Sequence, residues 1–170
     1  MLKIAITGPE STGKSTLTEA LSKHYNCIFV SEFAREYLNK TGGKYTLPDL
    51  DIIAKNQFDL IQNAKDSKLV ICDTEMTVMK VWSEFKYGTC SPKIQELYGQ
   101  QHFDCYFLCD IDIPWQDDPV REHPDKRKEL LVCYQKELQG KNYFLISGDL
   151  QQRIIQTKKI ISQLLLDLKN

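Results

Sequence analysis

The stretch Gly8-Pro9-Glu10-Ser11-Thr12-Gly13-Lys14-Ser15 lies directly after the apolar run 3–7 and directly before a segment of helical period, 15–24. It matches the pattern of a glycine, four residues of any kind, then Gly-Lys-Ser or Gly-Lys-Thr, in the strand-then-helix setting that gives the pattern meaning. A chain of this length shows the pattern by chance on the order of once in two hundred, before the setting is counted. Gly8 and Gly13 supply backbone freedom, so that successive N–H groups of the loop Pro9, Glu10, Ser11 and Thr12 turn inward around phosphate oxygens at the positive end of the following helix. Lys14 then reaches the β and γ phosphates, and Ser15 is placed to ligate magnesium. Thr16, one residue further into the helix, meets the α phosphate through its N–H or hydroxyl. The ligands implied are ATP and Mg2+.

Outward from this loop, short apolar runs alternate with longer segments of helical period, the sequence form of a parallel sheet covered by crossover helices. The expected strands are 3–7, 27–30, 69–72, 105–109 and 143–146, each nearly continuous in apolar residues, as suits strands buried on both faces. Leu17, Ala20 and Leu21 mark one helix, and Leu50, Ile53, Phe58, Ile61 and Ala64 another. Ser91 and Pro92 read as an N-cap and first-turn pair. Ile154, Ile155, Ile161, Leu164, Leu165 and Leu168 mark a last helix. The expectation is an α/β fold of three layers around a five-stranded parallel sheet, in one domain over 1–170. Two stretches break the rhythm, 41–48 and 115–128, and loops that long usually carry function or move.

Composition narrows the function classes. Lys plus Arg number 22 against 23 Asp plus Glu, so the chain has no basic field to hold a nucleic acid by counterion release. The start of the chain reaches a glycine turn too early for a signal peptide, and no later run has membrane-spanning length, so the expected location is cytoplasmic, with no membrane partner. The six cysteines form no CxxC pair and are expected to be reduced and mostly buried. His102, Cys105 and Cys109 are the nearest approach to a metal set, but the two cysteines read as same-face core residues of a strand.

Further candidates fall at strand ends. Asp73 follows the apolar run 69–72, where it can hold magnesium through water or accept a proton from an acceptor hydroxyl; the bland alternative is a helix cap. Glu32 and Arg35 follow the second strand, where a second substrate would face the phosphate loop, or they form a helix-surface ion pair. The polar run 115–128 carries Arg121 and then Lys126, Arg127 and Lys128. It reads as a mobile lid whose Arg121 and Arg127 bring positive charge to a migrating phosphoryl group and exclude water; the bland alternative, preferred for Lys126 and Lys128, is a solvated charged helix start. Gly148, after the fifth strand, either lies in a loop beside an adenine ring or is only a turn residue, and Trp82, Phe85 and Tyr87 form an aromatic group that either stacks on an acceptor base or belongs to the core.

The blocks GPESTGKST, SEFAREYL, DTEMTVMKVW and WQDDPVREH, in that order and spacing, resemble the ribosylnicotinamide kinase domain of NadR-type NAD-biosynthesis regulators, from Lys3 to about Asp149. The resemblance implies an adenylate-kinase-like P-loop fold in which ATP phosphorylates the 5' hydroxyl of nicotinamide riboside to give nicotinamide mononucleotide. Gly8 to Thr16 would then bind the triphosphate, Asp73 would serve the acceptor hydroxyl, Glu32 and Arg35 would line the acceptor pocket, and Arg121 would act from the lid. Met1 stands too close before Gly8 for the nucleotidyltransferase domain of the larger regulators, so that activity is not expected. Pro119 replaces the glycine expected after the paired lid aspartates, which implies a stiffer lid and leaves the acceptor open. A kinase for another nucleoside-like molecule, a regulatory P-loop ATPase and a non-catalytic nucleotide-binding module are the alternatives.

Overall fold

The computed structural model describes residues 1–65 and 67–168. The five apolar runs form strands β1 (Leu2–Thr7), β2 (Ile28–Val30), β3 (Leu69–Asp73), β4 (Cys105–Cys109) and β5 (Tyr143–Ile146). Among the described residues, helices α1 (Lys14–Tyr25), α2 (Phe33–Thr41), α3 (Leu47–Asn63), α4 (Met76–Tyr87), α5 (Pro92–Gln100), α6 (Arg127–Glu137) and α7 (Leu150–Asp167) connect and cover them. All pairings are parallel and the sheet order is β2-β3-β1-β4-β5. The expected α/β architecture with a five-stranded parallel sheet is borne out.

Side chains of successive strand residues point to opposite faces, and both faces are apolar. Leu2, Ile4 and Ile6 of β1, Ile71 of β3 and Phe107 of β4 pack with Leu17 and Leu21 of α1 and Ile161 of α7. The alternate residues Ala5, Val70, Cys72, Tyr106 and Leu108 pack with Ile61, Val81, Leu130 and Tyr134 from α3, α4 and α6. A third cluster, away from the sheet, joins Leu50 and Ile53 of α3, Met76 and Met79 of α4, and Ile94 and Leu97 of α5. It stacks those helices into an outer wall. Cys105 and Cys109 lie in the same core cluster as Phe107.

Capping chemistry fixes the helix starts. Ser91 caps α5, accepting from the Ile94 N–H at 3.1 Å with Pro92 in the first turn, as its sequence predicts. Thr46 and Asp49 form a reciprocal capping box at α3, and Asp149 and Gln152 another at α7. These caps shorten the expected irregular stretches. Of 41–48, Thr41 closes α2 and Leu47 opens α3. Of 115–128, Pro124–Lys126 forms one 3-10 turn and Arg127 opens α6, so Arg127 and Lys128 are helical residues and not lid residues. On α7, Ile155 is solvent-exposed, a departure from the expected apolar stripe. No helix among the described residues is long and apolar enough to cross a membrane.

Phe107 is fully buried at the centre of the sheet. Phe107→Ala should lower stability by about 3–5 kcal/mol, seen in urea denaturation as a reduced midpoint at unchanged slope.

Candidate active site

Parallel register sets Ile6 of β1 opposite Asp73 of β3 and Thr7 opposite Leu108 of β4, so three carboxyl ends open on one edge of the sheet. The loop from Gly8 to Gly13 springs from that edge into α1. Gly8 has φ 130, and Ser11 and Gly13 are left-handed at φ 54 and 75, the kind of alternation that turns successive N–H groups to one side as an anion nest. A Cβ on Gly8 would stand 2.9 Å from the Cys109 carbonyl oxygen, so both the backbone conformation and the approach of β4 require glycine there. The Thr12 hydroxyl donates to the Pro9 carbonyl at 2.8 Å. The Lys14 ammonium donates to the carbonyls of Gly8 and Pro9 at 2.9 and 2.8 Å, which lays its charge across the mouth of the loop.

A cleft of about 650 Å³ runs from this loop to a far side walled by Phe29, Glu32, Arg35, Asp73, Trp82 and Phe85, the side expected to take an acceptor. The structure therefore brings Gly8 to Thr16, Glu32, Arg35, Asp73, Trp82 and Arg121 to one cleft. Asp73 is the last residue of β3 and is buried. It is not a helix cap: Glu75 caps α4 by accepting from the Thr77 N–H at 2.6 Å. Between them Thr74 sits at φ 68, left-handed and β-branched, with its N–H donating to the Ile6 carbonyl at 3.1 Å. Such a residue is strained, and the strain lies at the joint that aims Asp73.

The segment between β4 and α6 folds over the loop and is fastened at both ends of the cleft. On the loop side the Ser11 hydroxyl accepts from the Gln116 N–H at 2.8 Å and from the Arg121 guanidinium at 3.3 Å. The Glu10 carboxylate accepts from the N–H groups of Glu122 and His123 at 2.9 and 3.3 Å. On the acceptor side Arg35 pairs with Asp118 at 2.9 Å, in place of the Glu32–Arg35 pair that sequence spacing allows. The Arg35 guanidinium holds the Asp118 carboxyl below its ordinary range. Tyr45 donates to Glu122 and receives the Trp82 indole N–H at 2.7 Å, and Lys86 pairs with Glu122 at 2.6 Å.

Arg127 stands apart from the other predicted site residues. Its guanidinium donates to the carbonyls of Ser11 at 3.2 Å and Ile113 at 2.8 Å, and it is not among the side chains lining the cleft. The start of α6 thus turns it into a tie between lid base and loop. Tyr87 also lies outside the cleft, packed in the outer helical cluster with its hydroxyl on the Tyr45 carbonyl. Gly148 too is not among the residues lining the cleft: it sits at φ 93 in the turn before α7, its N–H donating to the Asp112 carboxylate. Sequence reading missed Tyr45, Glu122 and Arg153. The first two owe their place to two distant loops meeting, and Arg153 looks in sequence like any arginine near the start of a helix.

A sequence model of the AAA domain family matches residues 3–153. The chain belongs to the AAA domain family. It is homologous to the trifunctional NAD biosynthesis/regulator protein NadR of Salmonella typhimurium, 26% identical over 95% of this chain and 42% of that protein. A solved structure of a NadR protein in complex with NR superposes with a TM-score of 0.71 at 19% identity, over 87% of this chain and 44% of the other. A deoxyadenosine kinase from M. mycoides superposes with a TM-score of 0.67 at 14% identity, over 95% of this chain and 100% of that one. The chain spans less than half the length of the NadR protein it matches. The resemblance read from the four sequence blocks is borne out, and the fold is shared with kinase structures.

The electrostatics of this AAA domain centre on Asp73. Burial pushes its carboxyl up to about 6, with the Glu32 charge adding to the rise and the Ser15 hydroxyl, Lys14 and Arg35 opposing it. One of its oxygens is buried without a hydrogen-bond partner. That oxygen and the neighbouring Ser15 hydroxyl fit magnesium, which prefers oxygen ligands and keeps most of them as phosphate and water. No group of three His, Cys, Asp or Glu side chains converges among the described residues.

Because the folded protein holds the Asp73 proton more tightly than the unfolded chain, this group's contribution to stability is fully present below pH 3.8 and is lost as pH rises through about 6. Asp73→Asn should therefore stabilise the ligand-free protein at neutral pH, on the order of 2–3 kcal/mol. Thermal melts should show the gain at pH 7.5 and its disappearance below pH 4, a window taken from the two values that bound the shift. Thr74→Gly, which removes the left-handed penalty, should raise stability by about 1 kcal/mol in the same assay.

Proposed function

We propose that this protein is an ATP-dependent kinase that transfers the γ-phosphoryl group to the hydroxyl of a nucleoside, with the 5' hydroxyl of nicotinamide riboside as the favoured acceptor. The observation that carries the reading is the single cleft joining the phosphate loop to an aromatic- and charge-lined second pocket under a lid bearing Arg121. A switch ATPase or a passive binding module has no use for that second pocket. Homology to NadR, and the likeness to a NadR structure in complex with NR, support the choice of acceptor.

The loop amides of 8–13 bind the triphosphate and Lys14 takes the β and γ phosphate oxygens, its present carbonyl partners lying at the loop mouth. Ser15 and Asp73 would hold magnesium, which when bound supplies further positive charge at those phosphates. Trp82 and Phe85 line the acceptor side of the cleft and stack on the base. Glu32 and Arg35 orient the ribose hydroxyls there. The acceptor oxygen attacks the γ phosphorus, the bond to the β-phosphate oxygen breaks, ADP leaves, and the hydroxyl proton passes to Asp73. Arg121, tied to Ser11, neutralises charge on the migrating group, and the fastened lid keeps water from taking the acceptor's place.

Purified protein given ATP, magnesium and a panel of nicotinamide riboside, ordinary nucleosides and nucleoside monophosphates should yield nicotinamide mononucleotide, identified by mass. Lys14→Ala should lower that turnover by at least about a hundredfold, as loss of a donor to developing charge does elsewhere. Transfer to nucleoside monophosphates alone would refute the riboside assignment, and undiminished turnover by Lys14→Ala would refute the site.

A further inference from the structure

We infer that Arg153 is a positioning residue for the nucleotide: its buried guanidinium holds the phosphate loop and the turn at Gly148 in fixed relation, so that triphosphate and base are gripped together. The inference rests on the reading of Gly8 to Thr16 as the ATP phosphate site and of the Gly148 turn as the neighbour of the base.

Arg153 lies in the first turns of α7 and is 1% exposed, an extreme burial for an arginine. Each of its three nitrogens is used. Nε donates to the Gly148 carbonyl at 2.8 Å and Nη1 to the Thr12 carbonyl at 2.6 Å. Nη2 donates to the Asp110 carbonyl at 3.1 Å and pairs with the Asp112 carboxylate. The partners come from three separate pieces of chain: the phosphate loop, the segment leaving β4 and the turn after β5. If α7 needed only anchoring, an apolar side chain would do it without the cost of desolvating a charge. What an apolar side chain lacks is the ability to orient peptide groups.

Two peptides are oriented here. In a trans peptide the C=O and the following N–H point in opposite directions. Drawing the Thr12 carbonyl toward Arg153 therefore turns the Gly13 N–H away from it, toward the loop where phosphate oxygens are held. At Gly148 both main-chain groups are fixed by the same ion pair, the carbonyl by Arg153 and the N–H by the Asp112 carboxylate. Gly148 has φ 93, a left-handed conformation that a residue with a side chain adopts only under strain. The Arg153–Asp112 pair is thus the common support of the two parts of the nucleotide site. Asp112 bonds the Gly148 turn directly and reaches the phosphate loop only through Arg153, which has three other acceptors, whereas Arg153 bonds both parts directly.

That asymmetry gives the test. ATP and inorganic tripolyphosphate, which has no base, are titrated calorimetrically into wild type, Asp112→Asn and Arg153→Lys, with melting temperatures measured alongside. Asp112→Asn, left with one acceptor oxygen for two donors, should bind ATP about tenfold more weakly and tripolyphosphate within about twofold of wild type. Arg153→Lys should weaken both ligands about tenfold, and in turnover both variants should raise KM for ATP while leaving KM for the acceptor unchanged. A general loss of structure would move the two ligands together. Parallel weakening of both ligands in Asp112→Asn, or ATP affinity within about twofold of wild type in that variant, overturns the inference. Should Arg153→Lys fail to fold, Asp112→Asn decides alone, since its side chain is 34% exposed. A wild-type protein that binds neither ligand overturns the nucleotide reading itself; wild-type binding with insensitive variants overturns only the role of Arg153.

Discussion

The close approach of Gly8 to the end of β4 is the constraint on which the site depends. With the Cys109 carbonyl oxygen 2.9 Å from where a Cβ would stand, the first residue of the loop is wedged between β1 and its neighbour, and only glycine fits. The chain must leave the sheet there in a conformation no other residue tolerates well, and the following turn carries it into α1. On the other side of β1, the register that sets Ile6 opposite Asp73 puts the carboxylate beside the same turn. Phosphate loop and acidic side chain are neighbours because their strands are neighbours, and strand pairing is fixed by the two apolar faces that α1, α7 and the α3–α4–α6 layer cover.

The lid docks on two of the four residues of the loop that its pattern leaves free to vary. Glu10 and Ser11 are neither of the glycines nor the Lys-Ser pair, yet they receive the N–H groups of Gln116, Glu122 and His123 and the guanidinium of Arg121. The far side of the lid is held by Asp118 and Glu122, through Arg35, Tyr45 and Lys86. Such partly exposed pairs contribute little stability individually. Their value is geometric, because they bring the acceptor wall and the phosphate loop under one cover, and pairs this weak can exchange as substrates enter and leave.

Much of this was legible in the sequence because it depends on local rules. Five near-continuous apolar runs gave the strands, the glycine spacing with Lys14 and Ser15 gave the loop, and a polar residue just past an apolar run gave Asp73. What was not legible depends on distant pieces of chain meeting. Arg127 carries the charge expected of a lid arginine, but it opens a helix and ties down Ser11 and Ile113. Tyr87 shares an aromatic cluster in sequence with Trp82 and Phe85, yet only the latter two reach the cleft, because residues five apart on α4 point in different directions. The Thr46–Asp49 box is a local signal that opens α3 at Leu47, so the irregular part of 41–48 is shorter than its composition suggests. Arg153 carries no spacing signal at all: nothing in the chain around it announces that three segments converge on its guanidinium.

The distribution of discomfort in the molecule follows the same geography. Among the described residues, the buried charged side chains all lie at the carboxyl edge of the sheet. At that edge Asp73, Glu75 and Arg153 are each 1% exposed, Asp73 and Glu75 each have an oxygen without a partner, and Thr74 between them is held left-handed. Each feature costs stability on its own, and nothing in the packing of the sheet requires any of them. A fold optimised only to be stable would place an apolar residue at Asp73, a glycine at Thr74 and an aliphatic side chain at Arg153. Their concentration within one edge, around a loop shaped for anions, marks this as the place where stability is exchanged for prearranged charge.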